Sequence, residues 1–322
     1  YSVKLTVTDN SGATDSVTTS VTVTAAPVNV GPKAAFTSTS ADLKVSVDGS
    51  TSADSDGTVA SYAWSYGDGG TGTGKTDSHT YAAAGTYSVK LTVTDNSGAT
   101  DSVTKSVTVT APAPTVVASD AFGRTGTKWG TADVGGTWTD SGGSYFSTSG
   151  GKGVLTLPKV SVSPTATLSS VSVLDSTTTA EFSVDKVATG SGLYVTLAAR
   201  KQGTSEYRLK ARMMSDGTIR LDTYVVVSGT ETAIKESMTG LTYSAGDVLK
   251  MKFVVSGTGT TTLSGKVWKA PANEPAAPQI TSTNSAAGLQ SAGASAVQGY
   301  LSASSTSAPV TITFDNVVVT RN

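Results

Sequence analysis

The sequence predicts an all-β protein, and three observations carry that prediction. Only 15 % of the 322 residues are charged, and Thr, Ser, Gly, Val and Ala dominate. This composition favours strands and turns, because branched side chains fit a pleated sheet and Gly and Ser fit tight turns. Apolar and polar residues alternate in many short stretches, and one 24-residue segment occurs twice. Alternation of period two buries one face of a strand and leaves the other in water.

The composition also excludes several kinds of site and partner. The formal net charge of −1 leaves no cationic excess that would hold nucleic acid or anionic lipid. The chain has no Cys, which excludes disulfides and thiolate metal sites. No run of apolar residues is long enough to span a membrane. This low-charge, Thr- and Ser-rich composition suits an extracellular, secreted or surface-exposed protein.

The duplicated segment is the first element to explain. "YSVKLTVTDNSGATDSVTTSVTVT" at 1–24 returns at 87–110 with a single difference, Thr19 against Lys105. Two alternating runs flank Asn-Ser-Gly in each copy, which predicts a β-hairpin with a tight turn. A lone two-stranded hairpin is marginally stable in water. We therefore expect residues 1–26 to be the C-terminal hairpin of a truncated repeat and the protein to contain a tandem array.

A complete copy of the repeat occupies residues 33–110. Its motifs "DGSTSADSDG", "YAWSYGDG" and "HTYAAAGTYSVKLTVTD" closely resemble those of the PKD (polycystic kidney disease) domain. The resemblance implies an immunoglobulin-like β-sandwich that acts as an extracellular spacer or adhesion module. The chain departs from the family pattern at Ser65, where Asp is usual, and at Tyr66, where Phe is usual. Proline-containing linkers at 25–32 and 111–117 are expected to form stiff extended spacers.

Two features of this repeat are considered as ligand sites: an Asp-rich turn and a histidine. Asp54 and Asp56 flank a serine in an Asp-Ser-Asp-Gly turn and are candidate Ca²⁺ ligands, as in some PKD relatives. The alternative is an Asx-rich turn with no metal. His79 is the only histidine of the chain. Without a partner His or Cys it is expected to have a structural role beside Tyr81.

Residues 118–322 predict a larger sandwich of ten or more strands. Runs such as "TAEFSVDKV", "EYRLKARMMSDGTIRL" and "VLKMKFVVSG" alternate and are bounded by Gly, Ser or Asp. Asp216-Gly217 predicts a hairpin turn. The motifs "DAFGRT", "WGTADVGGTWT", "YRLKARMMSDGTIRL" and "ITFDNVVVT" resemble those of the jelly-roll, concanavalin-A-like (laminin-G-like) sandwiches of large secreted actinobacterial surface proteins and of some actinobacteriophage minor tail proteins.

Asp120 and Asp315 are candidate ligands for a structural Ca²⁺ ion in this sandwich. They lie near the first and last strands, and terminal strands of such sandwiches usually pair. Two carboxylates far apart in sequence would then meet and hold a Ca²⁺ ion that clips the domain ends together. The alternative is that both are ordinary acids at strand edges.

No convincing catalytic site is present in the sequence, and we expect no enzyme activity. Glycosidases of this fold place paired carboxylates at a spacing of two on one strand, so that both face one groove. The five Glu residues do not have that arrangement. A Ser-His-Asp triad would require His79, which lies in the spacer repeat.

Sugar binding requires flat aromatic faces and planar polar groups, because a pyranose ring has an apolar face and a rim of hydroxyls. Along "EYRLKAR", the alternation places Arg208 and Arg212 on one side of a strand and Tyr207 and Leu209 on the other. Trp129 and Tyr145 lie among glycines and polar residues and are expected to be exposed. The candidate ligand-binding residues are Trp129, Tyr145, Tyr194, Arg200, Arg208 and Arg212.

The sequence therefore favours a non-catalytic extracellular adhesion or carbohydrate-binding fragment. PKD repeats would form the stalk, and a terminal lectin-like sandwich would contact a glycan or cell-surface ligand. Three alternatives remain: a component of a phage tail or virion fibre, a purely structural surface or filament protein that contacts copies of itself, and a targeting appendage of a secreted polysaccharide hydrolase.

Overall fold

The computed structural model describes residues 1–322, and it consists of strands, loops and two short 3-10 turns. The predicted all-β class is confirmed, with a small sandwich followed by a large two-sheet, jelly-roll-like sandwich. The chain divides into two compact units, residues 1–112 and 113–322. Neither helical turn has the length or apolar character needed to cross a bilayer.

The first unit contains two packed sheets and a separate hairpin. The hairpin consists of β1 (Ser2–Thr8) and β2 (Thr14–Ser20). One sheet has the order β3-β4-β7, formed by β3 (Thr37–Ala41), β4 (Lys44–Asp48) and β7 (Thr76–Thr80). The other has the order β6-β5-β8-β9, formed by β5 (Val59–Ser65), β6 (Thr71–Thr73), β8 (Gly85–Asp95) and β9 (Thr100–Val109).

The core of this small sandwich is built around Trp64. Its ring meets Phe36 edge to face, with centroids 5.2 Å apart, and its Nε1 donates to the carbonyl of Gly74 at 2.9 Å. Leu91 lies opposite Trp64 in the β5–β8 register and is fully buried. The aromatic side chain thus fills the apolar centre while its one polar atom is satisfied.

His79 has the structural surroundings expected of it. Its ring stacks on Tyr66 with centroids 4.4 Å apart and meets Tyr81 edge to face. Its Nε2 lies 2.7 Å from Oδ2 of Asp68. The histidine therefore ties the loop that contains Asp68 to β7.

The second unit begins with an eight-stranded sheet of order β12-β13-β24-β15-β20-β21-β22, in which β10 also pairs with β24. Its strands are β10 (Thr115–Asp120), β12 (Phe146–Ser149), β13 (Lys152–Leu157), β15 (Ser176–Val184), β20 (Leu249–Ser256), β21 (Thr261–Lys269), β22 (Ile280–Asn284) and β24 (Val310–Arg321). The first and last strands of the unit are therefore antiparallel neighbours, as the sequence predicted.

A seven-stranded sheet of order β11-β14-β23-β16-β17-β18-β19 packs against it. Its strands are β11 (Trp138–Ser141), β14 (Thr165–Val173), β16 (Leu193–Gln202), β17 (Ser205–Met213), β18 (Thr218–Val227), β19 (Thr230–Thr242) and β23 (Gly293–Leu301). The predicted hairpin at Asp216-Gly217 joins β17 to β18, and Gly217 supplies the positive φ of 81° that the turn requires.

Alternating side chains from both sheets form the large core. β20 alternates buried and half-buried residues from Leu249 to Ser256 without interruption. Opposite it, β17 points Tyr207 and Leu209 inward, and both are fully buried. Close packing also requires Gly153, because a Cβ there would lie 2.6 Å from the ring of Phe122. The core fixes both sheets, so the outward-facing side chains stand on a rigid platform.

Candidate functional site

A groove crosses the solvent-facing side of the seven-stranded sheet. The β16–β17 register sets Tyr194 opposite Arg212, and the β16–β23 register sets Tyr194 opposite Tyr300. Two residues before Arg212 on β17, Lys210 lies opposite Asp222 of β18. We call this the Tyr194 groove. Its central cavity has a volume of about 260 Å³ and is lined by Ser163, Tyr194, Arg208, Lys210, Tyr224, Glu231, Gln298 and Tyr300.

Three tyrosines give the groove its apolar surfaces. The rings of Tyr194 and Tyr300 are 5.7 Å apart and inclined at 54°. Lys210 Nζ lies 4.2 Å from the centroid of Tyr224 and 5.7 Å from that of Tyr194. The ammonium group therefore lies within cation–π distance of both rings and holds them around one basic centre.

The groove continues across neighbouring strands. Gln298 Nε2 donates to Thr165 Oγ1 at 3.0 Å, which links β23 to β14 on this face. Beyond it lies a second cavity of about 420 Å³, whose lining includes Thr139, Thr165 and Thr167. From β18 to β11 the path crosses five strand spacings, or about 24 Å. It runs across the strands, which gives room for a linear polymer.

Ion pairs organise most of the charged side chains of the groove. Glu231 accepts from Arg208 Nη1 and Lys210 Nζ, each at 2.5 Å. Glu206 lies beneath Arg208 and accepts from its Nε at 2.5 Å, and it also accepts from Lys201. Because these partners are fixed by several bonds, the side chains are held in place before any ligand arrives.

Arg220 neutralises two carboxylates on the far side of the groove. Its Nη2 donates to Asp222 and Glu236, both at 2.9 Å. Its Nε lies 2.7 Å from Oδ1 of Asp222 but lacks the alignment of a hydrogen bond. The fully buried Asp222 is thus paired mainly through one of its oxygens.

Burial sets the protonation behaviour of the groove floor. Desolvation raises the pKa of Asp222 above its ordinary value and lowers that of Lys210. Desolvation, together with the charges of Asp222 and Glu231, raises the pKa of Tyr224 to about 12. Desolvation also raises the pKa of Tyr194. Both phenols therefore remain neutral hydrogen-bonding groups at physiological pH.

Three of the six predicted ligand-binding residues come together in or beside this groove. Tyr194 and Arg208 line the central cavity, and Arg212 stacks beside Tyr194 with its Cζ 5.3 Å from the ring centroid. Their common face follows from the alternation of β16 and β17. The assignment of these residues to ligand binding stays a prediction.

The expected exposure of Trp129 is wrong. Its side chain is fully buried and meets Phe146 edge to face, with centroids 5.1 Å apart. Its Nε1 donates to the carbonyl of Val154 at 3.0 Å. The glycine-rich loop around it folds over the core, so the large aromatic ring caps the apolar interior.

Tyr145 and Arg200 also lie outside the groove. Tyr145 ends the 3-10 turn Gly143–Tyr145 and packs, half-buried, against the core. Arg200 is buried and donates to Leu174 O and Gly257 O, both at 2.7 Å, and to other groups. It ties loops together at the end of β16, where a ligand would not reach it.

The residues that sequence reasoning missed are Lys210, Gln298 and Tyr300. Lys210 lies two residues from both Arg208 and Arg212, so the alternation of the sequence already places it on the same side of the strand. Gln298 and Tyr300 lie about 90 positions away from the arginines along the chain. Only the pairing of β16 with β23 brings them to the same face.

The predicted pair of calcium ligands Asp120 and Asp315 is not brought together. Asp120 is buried on the core side, where Arg124 Nη1 and Nη2 donate to it at 2.7 and 2.6 Å. Asp315 faces the outer side of β24 and pairs with Lys152. Strand pairing aligns Asp120 with Val317 on the core side. A β-bulge at Asn316, where φ is 47°, adds one residue to β24 between Asp315 and Val318, so Asp315 faces outward although it lies two positions from Val317.

Asp54 and Asp56 lie in the turn before β5 of the first unit. Asp56 Oδ2 accepts from the amide of Val30 at 3.0 Å. Asp54 Oδ2 is buried and has no hydrogen-bond partner. A Cβ on Gly57 would lie 2.6 Å from this oxygen and 2.3 Å from Oδ1 of Asn96. The Asp54 and Asn96 side-chain oxygens therefore both lie close to Gly57. No group of three or more Asp, Glu, His or Cys side chains that could hold a metal ion is present.

Comparison with known proteins resolves the first unit. Residues 24–111 match the family model of the PKD domain. This part of the chain is a PKD domain. The PKD1 domain of Vibrio anguillarum Epp is 40 % identical to it, over 26 % of this chain and 100 % of that one, with a TM-score of 0.26. Curated protein sequences contain no match to the chain.

Solved structures similar to the chain beyond its PKD domain have low identity. The alginate lyase Aly36B, solved as a double mutant with an alginate tetrasaccharide, is 11 % identical over 66 % of this chain and 98 % of that one, with a TM-score of 0.44. The carbohydrate-binding module CBM66 from Bacillus subtilis is 15 % identical over 56 % of this chain and 89 % of that one, with a TM-score of 0.34. The sandwich fold itself follows from the strand order described above.

Proposed function

We propose that residues 113–322 bind a carbohydrate polymer in the Tyr194 groove and that the PKD domain serves as an extracellular spacer. The observation that carries this proposal is the combination of Tyr194, Tyr224 and Tyr300 with fixed planar donors on one rigid sheet face. Aromatic rings accept the apolar face of a sugar, while arginine and amide groups bind its hydroxyls. The remaining length of the groove supports an extended ligand.

The arrangement favours binding over bond cleavage. Glycoside hydrolysis requires one carboxyl group free to donate a proton and a second free to attack or to activate water. In the groove, Glu206, Asp222, Glu231 and Glu236 are each paired with arginine or lysine. We accordingly propose a non-catalytic module, and product analysis after long incubation with the bound glycan tests this part directly.

The binding proposal is tested on the intact chain with immobilised polysaccharides. We expect Tyr194→Ala and Tyr300→Ala to weaken retention at least tenfold without lowering the melting temperature. Trp268→Ala is the matched control, because Trp268 lines a separate cavity on the eight-stranded sheet. Loss of binding in the Trp268 variant alone would place the ligand on that other face and contradict the proposal.

The assembly alternatives predict a different result. A filament or virion component would self-associate and would bind no sugar, whereas a stalked binding module would remain monomeric and bind. Analytical ultracentrifugation of the free chain, together with the retention assay, separates these cases. Self-association without glycan binding would favour the structural role.

We further propose that the Asp54 turn of the PKD domain takes up a Ca²⁺ ion. The buried, unpartnered Oδ2 of Asp54 supports this, since a carboxylate oxygen without a donor suits a hard cation. Calcium chloride should then raise the melting temperature of the PKD domain, and a chelator should reverse the change. Asp54→Asn should abolish this response. A response that persists in Asp54→Asn would exclude the turn.

A further inference from the structure

Arg212, beside the Tyr194 groove, forms no ion pair with a carboxylate. Its Nε donates to the carbonyl of Ser191 at 2.9 Å, and the side chain forms no ion pair. The backbone bond and the ring of Tyr194 fix the guanidinium plane, while both terminal nitrogens keep their donors free. A fixed guanidinium with two free nitrogens is the group that binds a carboxylate in a fork.

The other cations of the groove are already paired. Arg208 and Lys210 share Glu231, Lys201 pairs with Glu206, and Arg220 with Asp222 and Glu236. Each of these four cations therefore has a carboxylate partner, whereas Arg212 forms no ion pair. Its neighbour across β17 and β18 is Arg220, so no acid lies directly opposite it.

The position of Arg212 relates this charge to a bound sugar. The guanidinium Cζ lies 5.3 Å from the ring centroid of Tyr194, which itself lies 5.7 Å from that of Tyr300. A pyranose ring packed on Tyr194 therefore places an exocyclic substituent beside the free nitrogens. A carboxylate at that place would gain two charge-assisted hydrogen bonds, whereas a hydroxymethyl group would gain at most a neutral one.

We propose that the groove selects a polysaccharide containing uronic acid, with one sugar carboxylate bound by Arg212. This inference rests on the proposed glycan binding by the same groove. It makes Arg212 a specificity residue and the tyrosines the general binding surface. Selectivity should then follow the ionisation of the sugar carboxylate.

The test uses the intact chain and three defined oligosaccharides, measured by titration calorimetry. The probes are oligogalacturonate, its carboxyl-reduced neutral form, and a sulfated neutral oligosaccharide. We expect the uronate to bind at least tenfold more tightly than its reduced form and its affinity to fall with added salt. Arg212→Gln should lose this tenfold preference, while Arg212→Lys should recover only part of it.

The outcomes separate this proposal from the glycan-binding proposal. If Tyr194→Ala weakens both the uronate and its reduced form, the groove binds glycans in general. If the wild-type chain then binds both equally, or prefers the sulfated oligosaccharide, the uronate inference is overturned while glycan binding stands. If none of the probes binds, both proposals fail.

A second observation independently concerns the β1–β2 hairpin. Its apolar row is exposed to solvent: Leu5 is 60 % and Val7 56 % exposed. The equivalent residues of the near-identical segment 87–110, Leu91 and Val93, are fully buried in the PKD core. Thus the same sequence is a core element in one place and an uncovered apolar ribbon in the other. An uncovered row of this kind marks an interaction surface.

We propose that this hairpin docks onto PKD strands equivalent to β3–β7, supplied in trans by a polypeptide of the sequence of residues 25–86. In the PKD domain these strands contact the hairpin through the register pairs Trp64–Leu91 and Tyr62–Val93. The sequence match of 1–24 to 87–110 carries every apolar residue of that contact, since Thr19 is the only difference. The partner is therefore a PKD strand set, bound by β-pairing and core burial.

Fragment complementation tests this docking. A labelled polypeptide of residues 25–86, which ends at the second residue of β8 and lacks β9, is mixed with the intact chain and followed by size-exclusion chromatography. We expect a one-to-one complex whose affinity falls at least tenfold in Leu5→Asp. Thr18→Asp, placed on the other face of the ribbon, is the control and should retain the complex. No complex, or a complex unaffected by Leu5→Asp, would overturn the docking.

Discussion

The indole Nε1 of Trp138 donates a hydrogen bond of 2.7 Å to Oδ2 of Asp120 inside the core of the second unit. Arg124 donates to both oxygens of the same carboxylate, and the amide of Phe122 donates to Oδ1 at 2.8 Å. Four donors therefore satisfy one buried charge. This geometry explains how an acid predicted to bind a metal is instead neutralised by the protein itself.

Asp120→Ala should destabilise the second unit by about 3–5 kcal/mol, because it leaves the Arg124 charge and the Trp138 indole without their partner. The measurement is urea unfolding followed by tryptophan fluorescence. Asp315→Ala is the matched control, since that carboxylate is half-buried on the outer face and pairs with Lys152. Equal losses in the two variants would contradict the central role of Asp120.

Trp129→Ala and Tyr194→Ala should distinguish a residue that stabilises the core from a residue that binds ligand in the groove. We expect Trp129→Ala to cost about 3–5 kcal/mol of stability, because it opens a large cavity beside Phe146. Tyr194→Ala should leave the melting temperature nearly unchanged and reduce glycan retention. Thermal unfolding and polysaccharide retention measured on both variants check this. If the Trp129→Ala chain is stable but fails to bind glycan, Trp129 contacts the ligand after all.

Leu91→Ala and Leu5→Ala form a pair matched by sequence. Leu91 is fully buried in the PKD core, whereas Leu5 is 60 % exposed. The first substitution should cost about 2–5 kcal/mol, and the second should change stability by no more than about 0.5 kcal/mol. Hydrogen exchange of the β8 and β9 amides reports the PKD domain specifically. Comparable effects would mean that residues 1–24 are covered in solution.

The phenol of Tyr224 should lose its proton at a higher pH than an ordinary tyrosine does. Its pKa is raised from the ordinary value of 10 to about 12, first by desolvation and then by the charges of Asp222 and Glu231. The folded state then holds the phenolic proton more tightly than the unfolded chain, so its contribution to stability is full below pH 10 and is lost as the pH rises through about 12. Tyrosinate absorbance of the wild type and of Tyr224→Phe measures this. A Tyr224 signal near pH 10 would show that the groove floor is solvated.

Local sequence determined the strands of this protein and the side of each strand that faces the core. The alternation in "EYRLKARM" placed Tyr207 and Leu209 inside and Arg208 and Arg212 outside, because successive side chains of a strand point in opposite directions. The PKD motifs identified the first sandwich in the same local way. The Asp216-Gly217 turn could also be predicted from the sequence, since its backbone geometry depends on two adjacent residues.

Tertiary structure alone decided which faces meet. Pairing of β16 with β23 brings Tyr300 to Tyr194, and a β-bulge at Asn316 of β24 sends Asp120 and Asp315 to opposite sides. Burial of Trp129 likewise depends on how a glycine-rich loop closes over the core. Strand order and register are set by the packing of the whole sandwich, which no short window of sequence contains.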